Sequence, residues 1–128
     1  MSAMSDYLEN EILDHILATA SYTAPATVYV GLSTGSFGDD NSGTELSGSG
    51  YGRVAASFGV AASGTASNDA AIEFSAATGG WGTVSHFGLF DASSSGNLLI
   101  HGALTSSKVI ETGDILKVAV GDMDISAD

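Results

Sequence analysis

The chain has no cysteine, one proline and only three basic side chains, Arg53, Lys108 and Lys117, against fifteen acidic ones. Without cysteine there is no disulfide, no thiol nucleophile and no cysteine-held metal. A formal net charge of -12 repels phosphate backbones and anionic headgroups, which argues against nucleic-acid binding and membrane docking. No apolar run reaches the roughly 18 residues of a membrane span, and no basic-then-apolar start marks a signal peptide, so the expectation is a soluble protein made in a cytoplasm. At 128 residues the chain is expected to be one domain, 1–128, burying roughly two thirds of its unfolded surface.

What the sequence does have is alternation. Trp81 to Asp91 and Asn97 to Thr105 are two apolar runs joined by Ala92-Ser93-Ser94-Ser95-Gly96, a β-hairpin pattern. Alternation puts Phe87 and Leu89 on one face and Val84, His86 and Phe90 on the other, so both faces are apolar and the pair belongs inside a sandwich or barrel. Gly88 and Gly102 in mid-strand call for aromatic rings packed over them.

Around this hairpin the other elements follow in order. Ser5 is an N-cap candidate, with Asp6 and Glu9 in the first turn. Leu8, Ile12, Leu13, Ile16 and Leu17 recur at helical spacing, predicting an amphipathic helix from Asp6 to about Thr19 whose apolar face is buried against the sandwich or a neighbouring subunit. The arm and helix occupy 1–20, and Pro25 separates them from a β-sandwich over 26–128. Thr27 to Ser33 is the first long strand. The stretch 34–52, rich in Gly, Ser, Asp and Asn, is expected to be a long exposed loop. Arg53–Ala61, Ala70–Ser75, Lys108–Ile110 and Ile115–Ile125 complete a count of about six or seven strands, with Leu116, Val118 and Val120 sharing a face. The fold class is mainly β: a small antiparallel sandwich or barrel with one N-terminal helix.

Candidate chemistry is sparse. His86 and His101 stand on the two arms of the hairpin and in one register would face each other as a metal pair, but a third ligand is missing and a five-residue turn sets His86 opposite Gly102. His15, beside Asp14, reads as a surface or interface residue. Asp39-Asp40-Asn41-Ser42-Gly43-Thr44-Glu45 is oxygen-rich like a calcium loop, yet its twelfth position is Gly50 and not a bidentate Glu. Asp122 and Asp124 share a strand face, where solvation is the default. Gly48-Ser49-Gly50-Tyr51-Gly52-Arg53 leads into a strand, whereas a phosphate cradle opens a helix, so it reads as a flexible loop end. Serines are plentiful, but no acid, base and nucleophile converge in the sequence. The expectation is no catalytic, cofactor or metal residues, and no enzyme.

The order of the pieces carries more. Tyr7-Leu8-Glu9 and Ile12-Leu13-Asp14-His15-Ile16-Leu17 precede Ala26 to Ser33, a Gly-rich loop and Gly50-Tyr51-Gly52-Arg53. Ser67-Asn68, Ile72, Phe74, Trp81 to Val84, Phe87 to Asp91, Gly96 to Leu99 and Gly102 to Thr105 follow. Over nearly its whole length this resembles a family of small tailed-bacteriophage virion proteins often labelled tail fibre proteins, some of them similar to capsid cement proteins that bind as trimers outside the head. The resemblance implies a structural protein. The first expectation is a capsid cement or decoration protein on the outer capsid surface, stabilising the head, with the major capsid protein or another virion protein as partner and a homotrimer as the assembly. A charge of -12 suits a head exterior better than a DNA-facing site, and the chain is short for a fibre with a repetitive shaft. The alternatives are a tail fibre or tail adaptor protein, and a carbohydrate-binding β module using exposed Tyr51 or Trp81. The loop 34–52 and the segment before the helix are the expected contacts.

Overall fold

A computed structural model of the chain describes residues 2–127. The elements are β1 (Ser2–Met4), α1 (Asp6–Ile16), β2 (Val28–Ser33), β3 (Val54–Ala56), β4 (Thr65–Ser67), β5 (Ile72–Glu73), β6 (Gly82–Phe90), β7 (Leu98–Ile110), β8 (Lys117–Val118) and β9 (Asp124–Ser126). All pairings are antiparallel: a five-stranded sheet in the order β1-β7-β6-β2-β3 and the two ladders β4-β9 and β5-β8. The mainly β expectation holds, with open sheets and no closed barrel among the described residues.

The core forms between one face of the large sheet and the small ladders. Val30 and Leu32 of β2 join Val84, Phe87 and Leu89 of β6, and Ile72, Phe74, Leu116, Met123 and Ile125 close over them. Each such side chain contributes about 1.5–3 kcal/mol through the water it sheds. Val84 departs from simple alternation, which had put it opposite Phe87. A register shift between Val84 and His86 turns its side chain inward, as a bulge does. On the other face of the sheet a second cluster gathers Phe37, Phe90 and Leu98. Gly88 lies beneath it: a Cβ there would stand 2.9 Å from Leu98, 3.0 Å from Phe90 and 3.2 Å from Phe37. The rings expected over Gly88 are thus present, while Gly102 stands in the ladder between Ser2 and Phe87.

Two irregularities set the hairpin register. At the turn, Asp91 accepts from the Asn97 backbone N–H at 2.7 Å and side-chain amide at 3.0 Å, and Phe90 pairs with Leu98. Leu99 is then an extra residue, since Leu89 already pairs with Ile100, and His86 consequently faces Ala103, not Gly102. Further on, Val84 pairs with Lys108, so Leu104–Ser107 stand against the single residue Ser85 and β7 swings outward. What the pattern presents as two strands, ending at Thr105 and resuming at Lys108, is one strand with a wide bulge.

The C-terminal stretch departs in the opposite sense. Ile115–Ile125 is not one strand but two short ones around a turn at Gly121, where φ is +81. Buried Asn68 holds that turn: its amide donates to the carbonyls of Ala70 and Ala119 at 2.9 Å each and accepts from the Met123 N–H at 2.9 Å. Leu116 is therefore buried, Val118 half-buried and Val120 exposed. Arg53–Ala61 and Ala70–Ser75 contract in the same way to β3 and β5. The segment before the helix is also a strand: β1 pairs Ser2–Met4 with Gly102–Ile100, and the Ser2 hydroxyl accepts from the Ser126 N–H at 2.9 Å.

Candidate interaction surface

Helix α1 starts where the sequence places it. Ser5 is the N-cap, its hydroxyl accepting from the Leu8 N–H at 3.2 Å and donating to the Leu98 carbonyl, and its own N–H donates to Leu99 O at 2.8 Å. The helix is thereby fastened to β7 at its first turn only. Leu8 is buried, but Leu13, Ile16 and Leu17 are 55%, 70% and 66% exposed. Of the two covers expected for this face, the sandwich does not supply one for these three: Leu13 and Leu17 lie well around the helix from Leu8, and Ile16, two turns beyond Leu8, lies past the first-turn anchor. The helix stops at Ile16, short of Thr19, and Ala18 adopts a φ of +64. His15 is exposed and accepts from the Tyr22 N–H at 3.1 Å.

The loop 34–52 is fastened at several points. Beyond the end of β3, the outer edge of β2 is sealed by it: Leu46 N–H donates to Leu32 O at 2.9 Å, and Leu32 N–H donates to the Tyr51 hydroxyl at 2.9 Å. Tyr51 in turn donates to Glu45. Arg53 grips Glu45 with two N–H groups, at 2.9 and 2.8 Å, lies 3.6 Å over the Phe90 ring and donates to the carbonyls of Ala92 and Ser95 in the hairpin turn at 2.8 Å each. A two-pronged ion pair desolvated against a ring is the strong form of this interaction. Gly31 permits it, since a Cβ there would come within 2.7 Å of Glu45 and 2.9 Å of Phe90. Burial and then the bond to Glu45 raise the Tyr51 pKa well above its ordinary value. Gly48–Arg53, expected to be a flexible loop end, is the structural clamp of the molecule.

The other candidate residues are satisfied locally. His101 sits opposite Gly88, diagonal to His86, and its Nε2 bonds Asp39 Oδ1 at 2.7 Å, while His86 Nδ1 lies 2.7 Å from its neighbour Ser85 Oγ. Asp40 accepts from the Ser42 N–H at 3.1 Å, and its bonds to Ser42 lower its pKa. Asp124 accepts from Ser67. No group of three or more His, Asp or Glu is clustered for a metal among the described residues. Trp81 is 7% exposed, meets Tyr51 and Phe74 edge-on and donates from its indole N–H to Ser49 O at 2.9 Å. Neither Trp81 nor the half-buried Tyr51 offers a free aromatic platform.

Fold and surface together define a mainly β protein whose Glu45–Arg53 clamp and buried aromatics serve its own architecture. The family described as podophage GP4 fiber I protein gp80 matches residues 3–126, and the chain belongs to that family of small phage structural proteins. No curated protein matches the chain. Membership places it among components of the phage particle, in association with other virion proteins.

Proposed function

We propose that this chain is a fibre component of the phage tail, a rigid β module that assembles as a homotrimer and attaches to the particle through the loop 34–52. One observation carries the assembling role: three large aliphatic side chains, Leu13 and Ile16 on α1 and Leu17 at its C-cap, stand in solvent while the candidate polar groups Glu45, Arg53, His86 and His101 are bonded internally, the pattern of a part that needs cover and not of a reaction centre. The fibre assignment is supported by the description of the matched family. The clamp supports the loop as the contact, because a surface already ordered loses little entropy on docking.

A second reading, the capsid cement or decoration protein on the outer face of the head, is favoured by the net charge of -12, which suits an exterior site away from packaged DNA. Mixing purified protein with heads and with isolated tails that lack it, then counting bound copies per particle, separates the two. Few copies confined to tails are expected; many copies on heads would establish cement, and no copies on either would overturn attachment. The carbohydrate-binding reading lacks the exposed Tyr51 or Trp81 platform it requires.

A further inference from the structure

The far end of α1 is held clear of the body. Leu13, Ile16 and Leu17 are each more than half exposed, and among the described residues the stretch 18–27 that follows hydrogen-bonds only back to Asp14 and His15. An apolar set at i, i+3 and i+4 on a projecting helix end is the form that a hydrophobic groove receives. Its flanks are acidic. Glu9 lies one turn before Leu13 on the same face and Asp14 lies to the side; both are exposed, and neither forms an ion pair among the described residues. The same surface runs on into the loop 34–52, because the Asp6 N–H donates to Asp39 O at 2.8 Å and exposed Asp6 and Asp40 line one pocket there.

Charge separates the covers open to such a face. Nucleic acid and anionic headgroups are repelled by it. A second copy has no positive surface to bring, since the chain holds only three lysines and arginines. Arg53 is taken up by Glu45. Lys108 and Lys117 line a cleft together with Asp122 and Asp124, and Glu73 faces Lys117 across the β5-β8 ladder. Pairing α1 with its own counterpart sets Glu9 and Asp14 against like charges. We infer that Leu13, Ile16 and Leu17 dock in an apolar groove of a different virion protein, with lysine or arginine on the groove's rim meeting Glu9 and Asp14. This rests on the assembling role proposed above, names what covers the helix, and leaves copy-to-copy contacts to other surfaces.

The test is binding of the purified full chain to immobilised phage particles that lack it, followed by biolayer interferometry at several salt concentrations. Circular dichroism and mass in solution are the controls. Leu13→Ser with Ile16→Ser should weaken binding about tenfold or more, chiefly through faster release. Glu9→Lys with Asp14→Lys should weaken it about tenfold through slower association, and salt should no longer weaken what binding remains. Both variants should keep the wild-type spectrum and mass. Should the reversed pair lose the spectrum, Glu9→Gln with Asp14→Asn takes its place, and its binding must be weaker and less salt-dependent than that of wild type. Stripe variants that bind as tightly as wild type would overturn the helix contact while attachment itself stands; a wild type that binds no particle overturns both. Charge variants that bind as wild type does would remove the basic rim, and a stripe variant of lower mass in solution would give the helix to a second copy; either overturns the inference.

Discussion

The loop 34–52 and helix α1 exchange the roles that their compositions announce. The polar, glycine-rich loop is held by Phe37 in the second core cluster, by the Glu45–Arg53 pair and by hydrogen bonds that seal the edge of β2. The amphipathic helix is fixed at its N-terminal turn and leaves most of its apolar stripe in water. A few well-placed anchors thus decide order, and average polarity does not.

The largest effect should come from breaking the clamp. Arg53→Ala leaves Glu45 half-buried without its partner and frees the loop from the hairpin turn; a loss of about 3 kcal/mol is expected in urea unfolding, and a midpoint equal to wild type would mean that the loop does not support the sheet. Shortening the loop 34–52 should destabilise the sandwich for the same reason. Next, Gly31→Ala pushes a methyl against Glu45 and Phe90, with an expected cost of about 2 kcal/mol, read as a lowered melting temperature.

High pH probes the same site through Tyr51. Its folded pKa is raised by burial above the unfolded value of about 10, so the folded state holds the proton more tightly. This stability is fully present below about pH 10 and is lost as pH rises toward the folded pKa. Tyr51→Phe should flatten that alkaline limb; an unchanged limb would remove Tyr51 as its source. The smallest effect belongs to the helix: Leu13→Ser in dilute, single-copy protein should shift unfolding by no more than about 0.5 kcal/mol, and a larger loss would mean that the stripe already packs on the sandwich.

Much of the fold was legible in the chain. The hairpin, β2 and the helix start show because alternation, β-branching and an N-cap are local signals. The clamp was not, since Glu45 and Arg53 are drawn together by a ring and by turn carbonyls from the distant hairpin, and no spacing rule connects them. One hint existed: a lone arginine between a tyrosine-bearing loop and a strand, in a chain with so few cations, is worth tracing to a carboxylate. The bulges at Leu99 and Leu104–Ser107 also escaped, because alternation fixes which face a residue takes only while register is kept. The division of Ile115–Ile125 depends on Asn68, whose role is tertiary.

Strand β1 has a consequence in time. Its partner residues are Gly102, His101 and Ile100, so β1 stays unpaired until β7 has been made, and this side of the sheet closes late. Pairings this distant in sequence fold slowly and leave an open edge meanwhile. A β7 edge open in the meantime accepts the Ser2–Met4 segment of any copy, so the refolding yield is expected to fall as protein concentration rises.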